Sequence, residues 1–153
     1  MANAYPILPN DISDFRVVPY DFLSNMYSSP VTILGQTFEC AEAAFQAHKV
    51  TTIPELKQFV GLNGYEAKRL GRQVTLRYDW PQIKLQVMAN VLEAKFRPGS
   101  ELTYKLLNTG NKRLVEGNTW NDVYWGVCNG KGQNKLGQLL MERRAFLRGV
   151  AHG

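Results

Sequence analysis

The chain has 153 residues, 44% hydrophobic and 20% charged, a balance that fits one globular domain able to bury a core without disulfides or a structural metal. Its two cysteines, Cys40 and Cys128, are too few for a disulfide scaffold, and with His48 and His152 they lack zinc-site spacing, so no metal and no cofactor are expected. A net charge of +5 and a pI near 9.3 mildly favour a phosphate-bearing partner. No apolar run approaches the ~20 residues of a membrane span. The opening MANAYPILPNDISDF lacks the basic and apolar regions of a signal peptide. The expectation is a cytoplasmic protein with no membrane partner.

Residues 1–20 carry Pro6, Pro9 and Pro19 and read as an irregular N-terminal segment ahead of a domain over 21–149. Val31–Phe38 (VTILGQTF) reads as a hairpin of two short strands around Gly35. Glu39–Val50 reads as the first helix. There Glu42, Phe45, Gln46 and Lys49 recur at i, i+3, i+4 and i+7 and share one face. Pro54–Val60 and Tyr65–Leu70 read as short helices, with Gly61 and Gly71 placed as left-handed terminators.

Asp79–Trp80–Pro81 opens the longest helix, about 81–96, with Val87, Met88, Val91 and Leu92 as its apolar stripe. Pro98–Gly99 breaks it, and Ser100 caps another helix to about Asn108. Arg113–Glu116 reads as a short strand. Residues 117–133, rich in glycine and asparagine, read as a long ordered or functional loop. A last helix runs from about Asn134 to Arg148, with Asn134 as its N-cap. The fold class expected is mainly α with a minor β part: a single compact helical domain with a small β-hairpin.

Three places carry candidate chemistry. Lys95 continues the apolar stripe of Met88 and Leu92, so its amine either snorkels to water or sits desolvated with a lowered pKa. Desolvated, it suits a phosphate ligand or an amine nucleophile. Asp122 lies among Trp120, Tyr124 and Trp125, where an acid beside aromatic rings either holds a ribose hydroxyl or a water, or makes a local turn beneath an aromatic cap. Gly130–Lys131–Gly132–Gln133–Asn134 leads into a helix, a pattern that either binds phosphate or simply turns the chain.

Taken in order, the pieces resemble a known family. They are Phe22–Leu23–Ser24–Asn25–Met26–Tyr27; Phe38–Glu39–Cys40–Ala41–Glu42 through Gln46 to Lys49; and Leu70–Gly71–Arg72. Trp80 follows, then Val87–Met88 through Lys95–Phe96, Leu106–Gly110 and Leu114–Val115–Glu116. The last are Asp122 with Trp125–Gly126, Gly132–Gly137, and Leu140–Arg144. Together they resemble the NADAR domain family of YbiA-like N-glycosidases from about residue 20 to 148. The resemblance implies a mainly helical fold and hydrolysis of a base–ribose bond. It also implies a substrate that is either a phosphorylated ribosylamino-pyrimidine of riboflavin synthesis or ADP-ribose on guanine, free or in nucleic acid. Glu116–Trp120 and Cys128 depart from the YbiA-like pattern and look closer to phage-type variants, which raises the ADP-ribose reading.

The residues expected to act are Glu42, Lys49 and Asp122 as catalytic groups: an acid–base pair of carboxylates, or a lysine Schiff base from Lys49 or Lys95. Phe22, Trp80 and Trp125 are expected to sandwich the base. Asn25 and Asn134 are expected to hold ribose hydroxyls or phosphate, Arg72 or Arg143 to meet a phosphate, and Gln46 and Gly126 to complete the site. Two other readings use the same residues: a module that binds ADP-ribose or NAD without hydrolysis, and a structural helical protein whose polar stripe residues are paired core groups.

Overall fold

The computed structural model describes residues 3–152. It is an α+β chain of α-helices and two small sheets, with more β-structure than the one hairpin expected. The chain divides into two compact units, where its length suggests one. Asn25–Lys95 forms one; the residues up to Ser24 and from Phe96 onward form the other.

Within Asn25–Lys95, β1 (Ser28–Ile33) and β2 (Gln36–Cys40) form the expected hairpin. Its turn residues, Leu34 and Gly35, have φ of 57° and 72°. Two left-handed residues match the right-handed twist of the strands they join. Val31 faces Phe38 across the ladder, and both are fully buried. Pro30 lies in the irregular step between Ser28 and Val31, where its missing N–H is tolerated.

Helix α1 (Ala41–Ala47) starts later than Glu39 because Glu39 and Cys40 complete β2, and it ends before Lys49, which lies in the turn beyond it and not on the helix expected to reach Val50. The Asn25 carbonyl accepts the Glu42 N–H at 2.9 Å, satisfying one orphan donor of the helix start. Ala41, Ala43, Ala44 and Ala47 are fully buried, which lets neighbours approach the α1 backbone closely. Helix α2 (Ile53–Lys57) is capped by Thr52 and ends well before Gly61.

Helix α3 (Gly64–Gly71) begins with a capping box of Asn63 and Glu66. Gly71 is a helical residue and not a left-handed terminator. A Cβ there would lie 1.9 Å from Gln46 Oε1, so its bare backbone is what permits α3 to pack on α1. Helix α4 (Trp80–Lys95) buries Val87, Met88, Val91 and Leu92 against α1 and β1, as its stripe predicts.

In the other unit the first twenty residues are integral. Arg113 forms a two-atom ion pair with Asp11, at 2.6 Å for the closer bond. Ile12 bridges Leu114, Ala4 bridges Lys131, and Ile12 and Phe15 are buried. A single 3-10 turn, Asp21–Leu23, sets Phe22 edge-on to Phe96 at 6.4 Å between ring centres. Helix α5 (Glu101–Leu107) carries the expected Ser100 cap and packs on α6 (Lys135–His152).

The strand expected over 113–116 is reduced to the Ile12–Leu114 bridge. Strands lie instead in the stretch expected to be loop. They are β3 (Gly117–Asn118), β4 (Val127–Cys128) and β5 (Lys131–Gly132), in the order β3-β4-β5. Two residues per strand leave no alternation for a sequence to display. Helix α6 begins at Lys135, and Asn134 precedes it with a left-handed φ of 51°.

Candidate active site

The exposed side of α1 gathers one acid and one base. Glu42 is half-buried, and its Oε2 accepts a hydrogen bond from Gln46 Nε2 at 2.8 Å, one turn along the helix. Lys49 follows two turns after Glu42. Its Nζ stands 5.8 Å from the centre of the Trp80 ring, within cation–π range. Burial pushes the Lys49 ammonium below the ordinary lysine range. Arg72 and Lys68 push the same way, while Glu42 opposes them. Lys49 therefore feels Glu42, Lys68 and Arg72, although Arg72 itself is exposed at the end of α3. Lys68 was not singled out by spacing. It stands four residues before Arg72, so the helical period of α3 was the signal that could have found it.

Asn25 and Gln46 are buried, and among the described residues Asn25 Oδ1 and Gln46 Oε1 have no hydrogen-bond partner. A buried acceptor without a donor costs about 1–3 kcal/mol. The Gln46 oxygen packs against Gly71, where an added Cβ would lie 1.9 Å from it. The Asn25 amide touches Met88 Sδ through Nδ2 at 3.4 Å, which leaves its oxygen without an account inside the protein.

Lys95 ends α4 only 4% exposed, so its amine does not snorkel. Burial pushes its pKa down to about 7, with Cys40 opposing. The Tyr27 ring lies 6.0 Å from Nζ, a neighbour that no periodicity predicts. An amine in this state is half neutral near neutral pH, the form a carbonyl nucleophile needs.

The base sandwich expected of Phe22, Trp80 and Trp125 is not what the first two rings provide. Trp80 is buried edge-on against Phe45, at 5.1 Å between ring centres. Phe22 is buried against Phe96. Both are core aromatics. Trp125 is half-buried, with Tyr124 at right angles 4.8 Å away, and alone of the three keeps accessible surface.

The segment from Glu116 to Asn134 is held by side chains bonding to backbone. Asp122 Oδ1 accepts the N–H groups of Tyr124 and Trp125 at 3.2 and 2.9 Å, making the local turn that was one of its two readings. It belongs to the other compact unit than Glu42 and Lys49. Asn118 Oδ1 accepts the Asp122 N–H, and Asn118 Nδ2 donates to the Asp122 carbonyl at 2.8 Å and to Glu116 Oε2 at 3.1 Å.

Asn134 is fully buried and its amide is spent within the protein. Oδ1 accepts from Glu116 N, and Nδ2 donates to Tyr5 Oη and to the Leu114 carbonyl. It neither caps α6 nor offers a group to a sugar. The N–H groups of Gln133, Asn134, Lys135 and Leu136 donate to the carbonyls of Val123, Gly126, Tyr124 and Trp125. The entry to α6 therefore has no row of free donors for a phosphate. Arg143 Nε and Nη2 both donate to the Phe96 carbonyl, so this guanidinium braces the fold.

Gly126 is glycine for space. A Cβ there would fall 1.7 Å from Glu116 Oε2 and 2.2 Å from the Glu116 carbonyl. Glu116 and Asn118 were not among the expected site residues, since irregular backbone gives no period to read. Among the described residues no group of three or more His, Cys, Asp or Glu side chains is placed to hold a metal ion, and no helix is long and apolar enough to cross a membrane.

Known proteins resemble this chain over nearly its whole length. The NADAR domain model matches residues 14–148. N-glycosidase YbiA of Escherichia coli is 40% identical over 132 residues, spanning 84% of this chain and 82% of that one. A riboflavin biosynthesis protein of Vibrio vulnificus is 33% identical over 132 residues, covering 84% of this chain but 36% of its own. The NMR structure of E. coli YbiA superposes with a TM-score of 0.81 at 35% identity, covering 95% of this chain and 90% of that one. The family model, the sequence identity and the superposed structure agree, and the chain belongs to the NADAR domain family.

Proposed function

We propose that this protein is an N-glycosidase that hydrolyses a base–ribose bond in a phosphate-bearing compound, with ADP-ribose attached to guanine as its substrate. The N-glycosidase names of its relatives support the reaction type. The observation that carries the reading is the pair at α1: a carboxylate fixed by Gln46 and, in the turn just past the helix end, a lysine whose acidity burial has raised. Cleaving the bond needs a base for water and an acid for the departing nitrogen. Glu42 takes one proton of the attacking water as its oxygen bonds to the anomeric carbon. The carbon–nitrogen bond breaks, its electron pair stays with the base, and Lys49 supplies the proton that the base takes up. A lysine whose pKa is lowered toward neutrality is the better donor at physiological pH. Lys68 meets the phosphate as a point charge and Arg72 through its guanidinium fork, and the unpartnered oxygen of Asn25 accepts a ribose hydroxyl.

Lys95 supports a second route to the same products. Its buried amine near pKa 7 attacks the anomeric carbon as the carbon–nitrogen bond breaks, the base leaves with the proton the amine gives up, the sugar-amine adduct opens to an imine, and one water hydrolyses that imine to restore the amine. Borohydride added during turnover separates the two. A covalent sugar adduct on Lys95 favours the imine route; its absence together with a Glu42→Gln loss of about a hundredfold or more in kcat favours water.

The names of the riboflavin relatives support ribosylamino-pyrimidine phosphates as a second substrate reading. Mass spectrometry of products from ADP-ribosylated guanine and from phosphorylated ribosylamino-pyrimidines, run in parallel, decides between them. Release of guanine at a kcat/KM at least tenfold above that for the pyrimidine upholds the ADP-ribose reading. The reverse ratio replaces it, and release of no base from either removes the hydrolase reading in favour of a binding module.

A further inference from the structure

Lys49 stands just past the end of α1, where helical hydrogen bonds no longer fix the chain. Its N–H still closes on the Gln46 carbonyl at 3.0 Å. The carbonyls of His48 and Lys49 take their donors from another stretch of the same compact unit, and both take them from Arg77. The Arg77 N–H donates to the Lys49 carbonyl at 3.0 Å, and Nη1 donates to the His48 carbonyl at 3.4 Å. The rest of the guanidinium is held by Asp79, whose two carboxylate oxygens accept from Nε and Nη2 at 2.6 and 3.1 Å. A half-exposed ion pair contributes little to stability by itself, but a two-atom fork fixes direction, which the single ammonium of a lysine does not.

The same segment also reaches the head of the Lys49 side chain. The Trp80 N–H donates to the Arg77 carbonyl at 3.2 Å, and the Trp80 ring, packed on Phe45, lies 5.8 Å from Lys49 Nζ. Residues 77–80 therefore hold Lys49 at its backbone and at its ammonium. The other charged groups around it are Glu42 on α1 and Lys68 and Arg72 on α3. The neighbouring His48 is buried, its Nδ1 donates to the Ala44 carbonyl at 2.7 Å, and burial holds its pKa down.

We propose that Arg77 is a positioning residue of the N-glycosidase reaction: clamped by Asp79, it anchors the turn that carries Lys49 and, with Trp80, sets where the Lys49 ammonium stands as proton donor. This rests on the N-glycosidase reading above, in which Lys49 protonates the departing base. A proton donor displaced by about an ångström loses rate before the substrate loses binding.

The test compares Arg77→Lys and Asp79→Asn with wild type in the full chain. Lysine labelled with carbon-13 at Cε lets Lys49 and Lys95 be titrated together by NMR, each signal assigned through Lys49→Arg or Lys95→Met. Burial holds the Lys49 pKa below the ordinary lysine range, so a loosened turn admits water and moves it up. Arg77→Lys keeps the charge. Asp79→Asn removes a negative charge, which alone would move Lys49 down, so an upward shift in both variants reports loosening and not charge. Arg77→Lys is expected to lower kcat about tenfold or more, with KM within about threefold. Its Lys49 signal should titrate about half a pH unit or more higher, with the basic limb of the kcat profile following and Lys95 unmoved. Asp79→Asn is expected to change both readouts in the same directions.

An unmoved Lys49 overturns the proposal, as does a kcat within about threefold of wild type. A shift of Lys49 and Lys95 together with a lowered melt also overturns it, since that is a general loss of structure. If Arg77→Lys does not fold, Asp79→Asn decides on the same readouts. A wild-type protein that releases no base from any N-riboside, while Lys49 alone still responds to Arg77→Lys, places the failure in the N-glycosidase reading; a protein showing neither overturns both.

Discussion

The α1 face and the segment from Glu116 to Asn134 carry polar candidates by opposite means. On α1 the spacing of Glu42 and Gln46 follows from helical repetition, Lys49 stands in the turn just past the helix end, and the backbone supplies its own hydrogen bonds. In the 116–134 segment the strands are two residues long, and asparagine and aspartate side chains replace the missing backbone ladder. Regular structure spreads its stability over many equivalent bonds. The irregular segment joins scattered backbone bonds with a few side-chain ones that each serve a particular backbone group.

The largest expected stability effect therefore falls on the irregular side. Asn134→Ala strips partners from the Glu116 N–H and the Leu114 carbonyl together. At about 1–3 kcal/mol for each buried group, the loss is about 3 kcal/mol or more. A thermal melt should fall by roughly 6–12 °C. A fall under 2 °C would show that the segment has other supports.

Lys95→Met tests the burial of charge on the regular side. The ammonium has an ordinary pKa of 10.5 and is pushed to about 7 in the fold. Between those values the unfolded chain binds more protons, so the wild type gains stability as pH rises from about 7 to 10.5. Below 7 both states are protonated and the folded state bears the full cost. Lys95→Met should thus be more stable than wild type at pH 6, with the gap closing toward pH 10.5, as denaturant titrations across that range would show. A constant gap would mean that Lys95 is not desolvated.

Gly71→Ala probes the α1–α3 approach. The added methyl meets the end of the Gln46 side chain and no backbone, so the cost should stay within about 1–3 kcal/mol. Because Gln46 must move, the Glu42 hydrogen bond is lost as well, and kcat should drop further than the melt implies. Unchanged activity would detach Gln46 from the site.

Trp125→Ala distinguishes a ligand-facing ring from a core one. As a half-buried ring it should weaken substrate affinity by roughly 1–3 kcal/mol if it stacks on a base. A core ring would instead cost stability of about 3–5 kcal/mol. Melts run beside the activity assay separate the two. Smallest of all, Asn63→Ala removes one exposed cap of α3 and should cost about 1 kcal/mol, without touching turnover.

The sequence by itself determined the elements whose signals are local. The Leu34–Gly35 turn, the Glu42–Gln46 turn of α1, the apolar stripe of α4 and the Ser100 cap all depend on neighbours within one or two turns. The order of family motifs was legible for the same reason. Tertiary structure alone decided the rest. Gly71 and Gly126 are glycines because distant side chains, Gln46 and Glu116, fill the space beside them, which their own neighbours cannot reveal. Phe22 and Trp80 became core rings because their partners, Phe96 and Phe45, lie 74 and 35 positions away in sequence. Asn134 reads as a cap, yet its amide joins Tyr5, Leu114 and Glu116 from two distant stretches of chain. A polar side chain's role is set by which buried backbone groups lack partners around it, and that becomes known only once the chain has folded.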